Sequence, residues 1–143
     1  MKQKVLVLCT ANSARSQMAE GLLRQLGGDH FEVFSAGTHP ASVRPEAVSV
    51  MGELGIDISS HRSKAVDEFS GQTFDCIITV CDDANESCPT FPVPAKRIHW
   101  SFRDPATVAG SQVDRERAFR KVRDEIAERL REFVHSQDPA RLK

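Results

Sequence analysis

Apolar residues along this chain alternate between short unbroken runs and stripes of helical period. Residues 5–8 are four consecutive apolar side chains starting almost at the first residue, the pattern of a central parallel strand covered on both faces. After a loop at 9–15, Ala19, Leu22, Leu23 and Leu26 recur at i, i+3, i+4 and i+7, and Gly27-Gly28 falls where a helix C-cap would sit. Residues 31–34 read as a second strand, broken by Ser35-Ala36-Gly37. Pro45 then suits the first turn of a helix that carries Val48, Met51 and Leu54 inward and stops at Gly55. Residues 74–80 are the most strand-like run, and a weaker strand at 97–100 follows a proline-rich turn. Residues 112–135 place Phe119, Val122, Ile126, Leu130 and Phe133 on one stripe, with Glu116/Arg120 and Glu125/Arg129 as i,i+4 pairs outside.

Strands alternating with helices predict an α/β protein: a single domain over 1–143, with a four-stranded parallel sheet flanked by helices on both faces and a frayed tail at 137–143. Ligands in such sheets bind at the carboxyl ends of the strands. Cys9, Cys81 and the loop after Trp100 all fall there, so three distant stretches converge on one crevice. Lys and Arg total 19 against 20 Asp and Glu, so no global basic field holds nucleic acid or an anionic membrane, and any anion site must be local. The first residues hold an apolar run too short for a signal peptide or a membrane helix, which predicts a cytoplasmic protein, with a monomer as the default. In a reducing compartment Cys9, Cys76, Cys81 and Cys88 point to catalysis, redox exchange or metal binding rather than to a disulfide scaffold.

The loop Cys9-Thr10-Ala11-Asn12-Ser13-Ala14-Arg15-Ser16 lies between the first strand and the first helix. Successive N–H groups from Thr10 to Ser16, with the helix N-terminus behind them, would cradle an oxyanion, and the planar fork of Arg15 would hold two of its oxygens. Those donors favour the nucleophilic thiolate form of Cys9. Asn12 suits bracing the loop through its amide, while Ser16 would either cap the helix or hydrogen-bond the sulfur. The competing reading of Cys9 is a buried structural thiol at a strand end, and the spacing of Cys from Arg alone does not exclude it. A zinc site from Cys76, Cys81, Cys88 and His99 fits neither a ribbon nor a finger, so no metal is expected, and Cys76 inside an apolar strand reads as an inert core thiol. Asp104-Pro105 is either a turn former or a general acid reaching over the anion pocket.

The stretch VLVLCTANSARSQMAEGLL, with SAGT at 35–38 and Asp104-Pro105, resembles the low-molecular-weight tyrosine phosphatase family, and particularly its thioredoxin-coupled arsenate reductase branch, over most of the chain. The resemblance implies that Cys9 attacks arsenate, Asp104 protonates the departing oxygen, and Cys81 then forms a Cys9–Cys81 disulfide as arsenite leaves. Cys88 would take over as a Cys81–Cys88 disulfide. Thioredoxin, served by thioredoxin reductase and NADPH, would restore the thiols, with no bound cofactor. If 81–88 is helical when reduced, its ends lie roughly 10 Å apart, against the 4.4–6.8 Å or so that a disulfide needs, so the segment should unwind on oxidation. Some members bind a monovalent cation through residues matching Asn12, Glu20 and Ser35. The remaining ligand position holds Lys64 here, which implies independence from potassium. His61 receives no role. The alternative enzyme is a phosphatase hydrolysing aryl phosphates, which shares the loop and Asp104. Against it, Gln17 stands where the phosphatases carry proline, tyrosine is absent, and Cys81 and Cys88 would have no task. A redox-sensing module without turnover would need neither the cradle nor the acid. Glutaredoxin- and mycothiol-coupled relatives leave the electron donor open.

Overall fold

The structure, a computed structural model, describes residues 2–81 and 95–137. Strands β1 (Gln3–Cys9), β2 (Phe31–Gly37), β3 (Cys76–Thr79) and β4 (Lys96–His99) form one sheet in the order β2-β1-β3-β4. All three pairings are parallel, as the alternation of strands and helices predicts. Helix α1 (Arg15–Gly27) connects β1 to β2, α2 (Pro45–Gly52) follows β2, and α3 (Gln112–Gln137) follows β4. β1 is paired on both sides and its residues 5–8 are fully buried, which explains their unbroken apolar run.

Successive strand residues point to opposite faces, so Phe31 and Phe34 of β2 report on different layers. Phe31 stacks on Phe133 of α3, and that face is closed by α1 and α3. Phe34 packs edge-on against Phe69 and Phe74, so the other face is covered by the 3-10 helix Val66–Phe69. Among the described residues no helix is long and apolar enough to cross a membrane.

Several local expectations change. Ser35-Ala36-Gly37 does not break β2 but extends it, paired with Val7, Leu8 and Cys9. Gly27 and Gly28 end α1 without a left-handed cap: Gly28 has φ −57°, and a Cβ would meet the Phe31 ring at 2.7 Å at the first and the Arg24 carbonyl at the second. α2 stops at Gly52 and buries Ala47, Val50 and Met51, leaving Leu54 exposed. Gly55, at φ +75°, then reverses the chain so that the Ile56 N–H returns to the Met51 carbonyl. Arg120 reaches across to Glu53 beyond α2, at 2.7 and 2.8 Å, rather than along its own helix to Glu116. Gln137, expected in the tail, is the last residue of α3; residues 138–143, like Cys88 and the proline-rich turn before β4, lie outside the described residues.

Candidate active site

β1 ends at Cys9 and α1 begins at Arg15, and the register aligns Leu8 with Thr79 and Thr79 with His99. Cys9, Cys81 and the segment after Trp100 therefore meet at one edge of the sheet. Every carbonyl of the connecting loop is held from outside. Cys9 O accepts from Thr38 N (3.2 Å), Thr10 O from His39 N (2.8 Å), Ala11 O from Ala41 N (3.1 Å) and Ser63 Oγ (2.7 Å). Asn12 O accepts from Gln17 Nε2 (3.1 Å), Ser13 O from Arg44 N (2.8 Å) and Ala14 O from Met18 N (2.9 Å). In a trans peptide a carbonyl turned outward turns the next N–H inward, so the amides of Thr10 to Arg15 point inward, that of Asn12 onto the Cys9 sulfur and the others toward the pocket. Gly37 lies beneath this loop, where a Cβ would stand 2.5 Å from Thr10 O. The apparent strand breaker is thus a site of close backbone approach.

The Cys9 sulfur is buried, 2.8 Å from Ser16 Oγ and accepting the Asn12 N–H at 3.2 Å. Of the two roles open to Ser16, its hydroxyl takes the one at the sulfur, and α1 starts without a side-chain cap. Arg15 donates from Nη1 to Phe102 O (3.1 Å) and presents Nη2 to Asp104 Oδ2 at 3.6 Å. Asp104 takes the turn-forming role, and its second carboxylate oxygen reaches the edge of the cavity. Oδ1 accepts from Ala106 N (3.0 Å) to cap the 3-10 helix Pro105–Thr107, while Oδ2 faces Arg15. Cys81 is buried with its sulfur 3.3 Å from Thr10 Oγ1. A cavity of about 410 Å³ is bounded by Cys9, Cys81, Arg15 and Asp104 and by the loop residues Thr10, Ala11, Ser13 and Ala14. Asn12 and Ser16, expected among the oxyanion binders, sit behind this wall and are fully buried.

That second layer is built on Asn12, whose φ of +49° is the left-handed conformation asparagine tolerates better than most residues. Its Nδ2 donates to Ser16 Oγ (2.7 Å) and Ser35 Oγ (3.0 Å), and its Oδ1 accepts from Gln17 Nε2 (2.9 Å) and Lys64 N (2.8 Å). Gln17 is fully buried; Nε2 also reaches Arg62 O (2.9 Å), and Oε1 faces His61 Nδ1 at 2.9 Å. Arg24 Nη1 stands 3.4 Å from His61 Nε2 and can only donate, so His61 carries its proton on Nδ1 and donates to Gln17. Burial lowers the His61 pKa, with Glu20 partly opposing it, consistent with this neutral form. Glu20, itself buried, receives Ser35 Oγ (2.5 Å), Arg24 Nη1 (2.7 Å) and Lys64 Nζ (3.7 Å).

The profile of the low molecular weight phosphotyrosine protein phosphatases matches residues 4–143. The chain belongs to that family. The arsenate reductase of Bacillus subtilis (strain 168) is 44% identical to this chain over 137 residues, which are 95% of this chain and 99% of that protein. A solved arsenate reductase in the oxidized state superposes with a TM-score of 0.81 at 31% identity, covering 95% of this chain and 99% of that one. A thioredoxin-dependent arsenate reductase of Corynebacterium glutamicum superposes at 0.69 and 28% identity, covering 94% of this chain and 61% of that one.

Gln17 and His61 are the supporting residues that sequence reading missed. Ser16, three residues before Ala19, and Glu20, three before Leu23, fall on the buried face of α1, and polar residues on an inward face were the available signal for a braced loop. Replacing Gln17 with alanine strands the buried Asn12 carbonyl and the His61 Nδ1–H and takes one of two donors from Asn12 Oδ1, and is expected to cost about 1–3 kcal/mol, read as a lowered thermal midpoint. Asn12, Glu20 and Ser35 do meet, and the ammonium of Lys64 stands beside Glu20, its pKa lowered by burial against the pull of that carboxylate. Exchanging sodium for potassium at constant ionic strength is therefore expected to leave turnover unchanged; a several-fold activation would contradict this.

Cys76 is the first residue of β3 and Cys81 lies two residues past its last, Thr79, so the strand alone, at ~3.3 Å per residue, sets the two roughly 10 Å or more apart, too far to share one metal ion. Burial pushes the Cys76 thiol up to about 11, as suits an inert core group.

Proposed function

We propose that this protein is an arsenate reductase working through Cys9, Cys81 and Cys88. The observation that carries the reading is the Cys81 thiol opening onto the same cavity as Cys9, an arrangement that hydrolysis of an ester does not use. Arsenate would sit on the inward amides while Arg15 exchanges Phe102 O and Asp104 for two arsenate oxygens. The Cys9 thiolate attacks arsenic, and Asp104, released from Arg15, protonates the departing oxygen. The Cys81 thiolate then attacks the Cys9 sulfur. The sulfur–arsenic bond breaks, its electron pair stays on arsenic, and arsenite leaves. Two thiols have supplied the two electrons. Cys88, which lies outside the described residues, takes over the disulfide by exchange with Cys81, and thioredoxin, fed by thioredoxin reductase and NADPH, reduces it.

The same cradle would accept phosphate or an aryl phosphate, but phosphorus(V) does not take electrons from a thiol, so that path ends in hydrolysis. The phosphatase reading is the weaker one, since no aromatic side chain lines the cavity among the described residues. The enzyme requires no bound cofactor, works as a monomer over a single catalytic domain, and belongs in the cytoplasm, where thiols are kept reduced.

The test is NADPH oxidation with thioredoxin and thioredoxin reductase, with and without arsenate. Arsenate-dependent oxidation is expected, lost in Cys9→Ser, Cys81→Ser and Cys88→Ser. No oxidation, together with brisk hydrolysis of 4-nitrophenyl phosphate, would favour the phosphatase.

A further inference from the structure

We infer that Glu46 is a positioning residue for the oxyanion cradle, setting its amides through Arg44 and tying them through Arg115 to the segment that carries Asp104. This rests on the reading that the inward amides take the oxyanion. Glu46 lies in the first turn of α2 and is buried, and its Oε2 stands 3.6 Å from both Arg44 Nη2 and Arg115 Nε. Among the described residues, the buried side-chain nitrogens without a hydrogen-bond partner are Arg44 Nε and Arg115 Nε, both on the side chains that flank this carboxylate. The cluster is thus held by charge rather than by hydrogen bonds. Its two arginines reach the site from opposite sides. The Arg44 N–H donates to Ser13 O at 2.8 Å, the contact that turns the Ala14 N–H inward. Arg115 donates from Nη1 to Gly110 O at 3.3 Å, at the end of the stretch that begins with Asp104 and the 3-10 helix it caps.

Without the carboxylate, two guanidinium groups no more than roughly 7 Å apart repel each other with no counter-ion between them. Arg44 is the residue that precedes α2, so its displacement moves the donor on Ser13 O. Charge and position then act on anion binding with opposite signs. Loss of a carboxylate leaves its surroundings more positive and by itself tightens the grip on an anion. Loss of the clasp turns an amide of the cradle out of line and loosens that grip. The other end of α2 provides the comparison. There Glu53 accepts charged hydrogen bonds of 2.7–2.9 Å from Arg120 and Arg123, pinning the same two helices at the end away from the cradle.

Calorimetric titration with phosphate tests this, since phosphate reads the cradle whether or not arsenate is turned over. Glu46→Gln is expected to raise the phosphate Kd on the order of tenfold, with arsenate kcat/KM falling by a similar factor through KM. Glu53→Gln is expected to lower the thermal midpoint and leave the phosphate Kd unchanged. Adding Arg115→Gln to Glu46→Gln should cost little more, because both changes break one clasp. Should Glu46→Gln not fold, Arg115→Gln, on a side chain 35% exposed, carries the test against Arg117→Gln, which removes an equal charge two residues on. Only Arg115→Gln is then expected to weaken phosphate binding. An unchanged or lower Kd in Glu46→Gln, an equal rise in Glu53→Gln, or equal effects of Arg115→Gln and Arg117→Gln would overturn the proposal and leave the reductase reading standing. A wild-type chain that does not bind phosphate would overturn the cradle as well.

Discussion

Cys9→Ser is expected to abolish arsenate turnover, by about 10⁴-fold or more, while leaving the fold and the oxyanion site intact. The loss is near total because the residue is the attacking atom, and a neutral hydroxyl is a far weaker nucleophile than a thiolate. The fold survives because the introduced oxygen can keep the contact with Ser16 and accept the Asn12 N–H. Steady-state kinetics give the loss, and thermal stabilisation by phosphate in the variant shows whether the cradle still binds. A variant that no longer binds phosphate would place the defect in the loop rather than in the chemistry.

Arg15→Lys is the second large effect, expected to lower kcat/KM by about 10²–10³-fold although the charge is kept. The guanidinium reaches Phe102 O with one arm and faces Asp104 with the other, so one planar group ties the loop after β1 to the segment that carries Asp104. An ammonium on a flexible stem cannot hold two points at once or grip two oxygens of a tetrahedral anion. If charge alone mattered, the variant would retain most of its activity and differ mainly in salt dependence.

The sheet and the catalytic groups were legible because each carried a local signal: an unbroken apolar run for β1, a helical stripe for α1, a Cys and an Arg bracketing the loop between them. Parallel alternation then placed Cys9, Cys81 and Asp104 at one edge without further information. The misreadings share a cause. Gly27 and Gly37 look like punctuation in the sequence, yet each sits where a group from another element approaches too closely for a Cβ, a requirement set by tertiary contacts, while Gly28 is crowded by the Arg24 carbonyl of its own helix. Gln17 and His61 were missed because their value lies in a chain of hydrogen bonds from Arg24 through to Asn12 that joins residues up to 44 positions apart. Arg120 prefers Glu53 to its own helical neighbour because α2 and α3 are packed side by side, which no helical spacing reveals.

The central claim is that thiols of this chain supply both electrons to arsenic. It is tested most directly by mixing fully reduced protein with arsenate in the absence of thioredoxin and counting arsenite and remaining thiols. One arsenite per protein, with two thiols lost and Cys76 still reduced, is the expected result. Arsenite absent while the thiols stay intact would contradict the account.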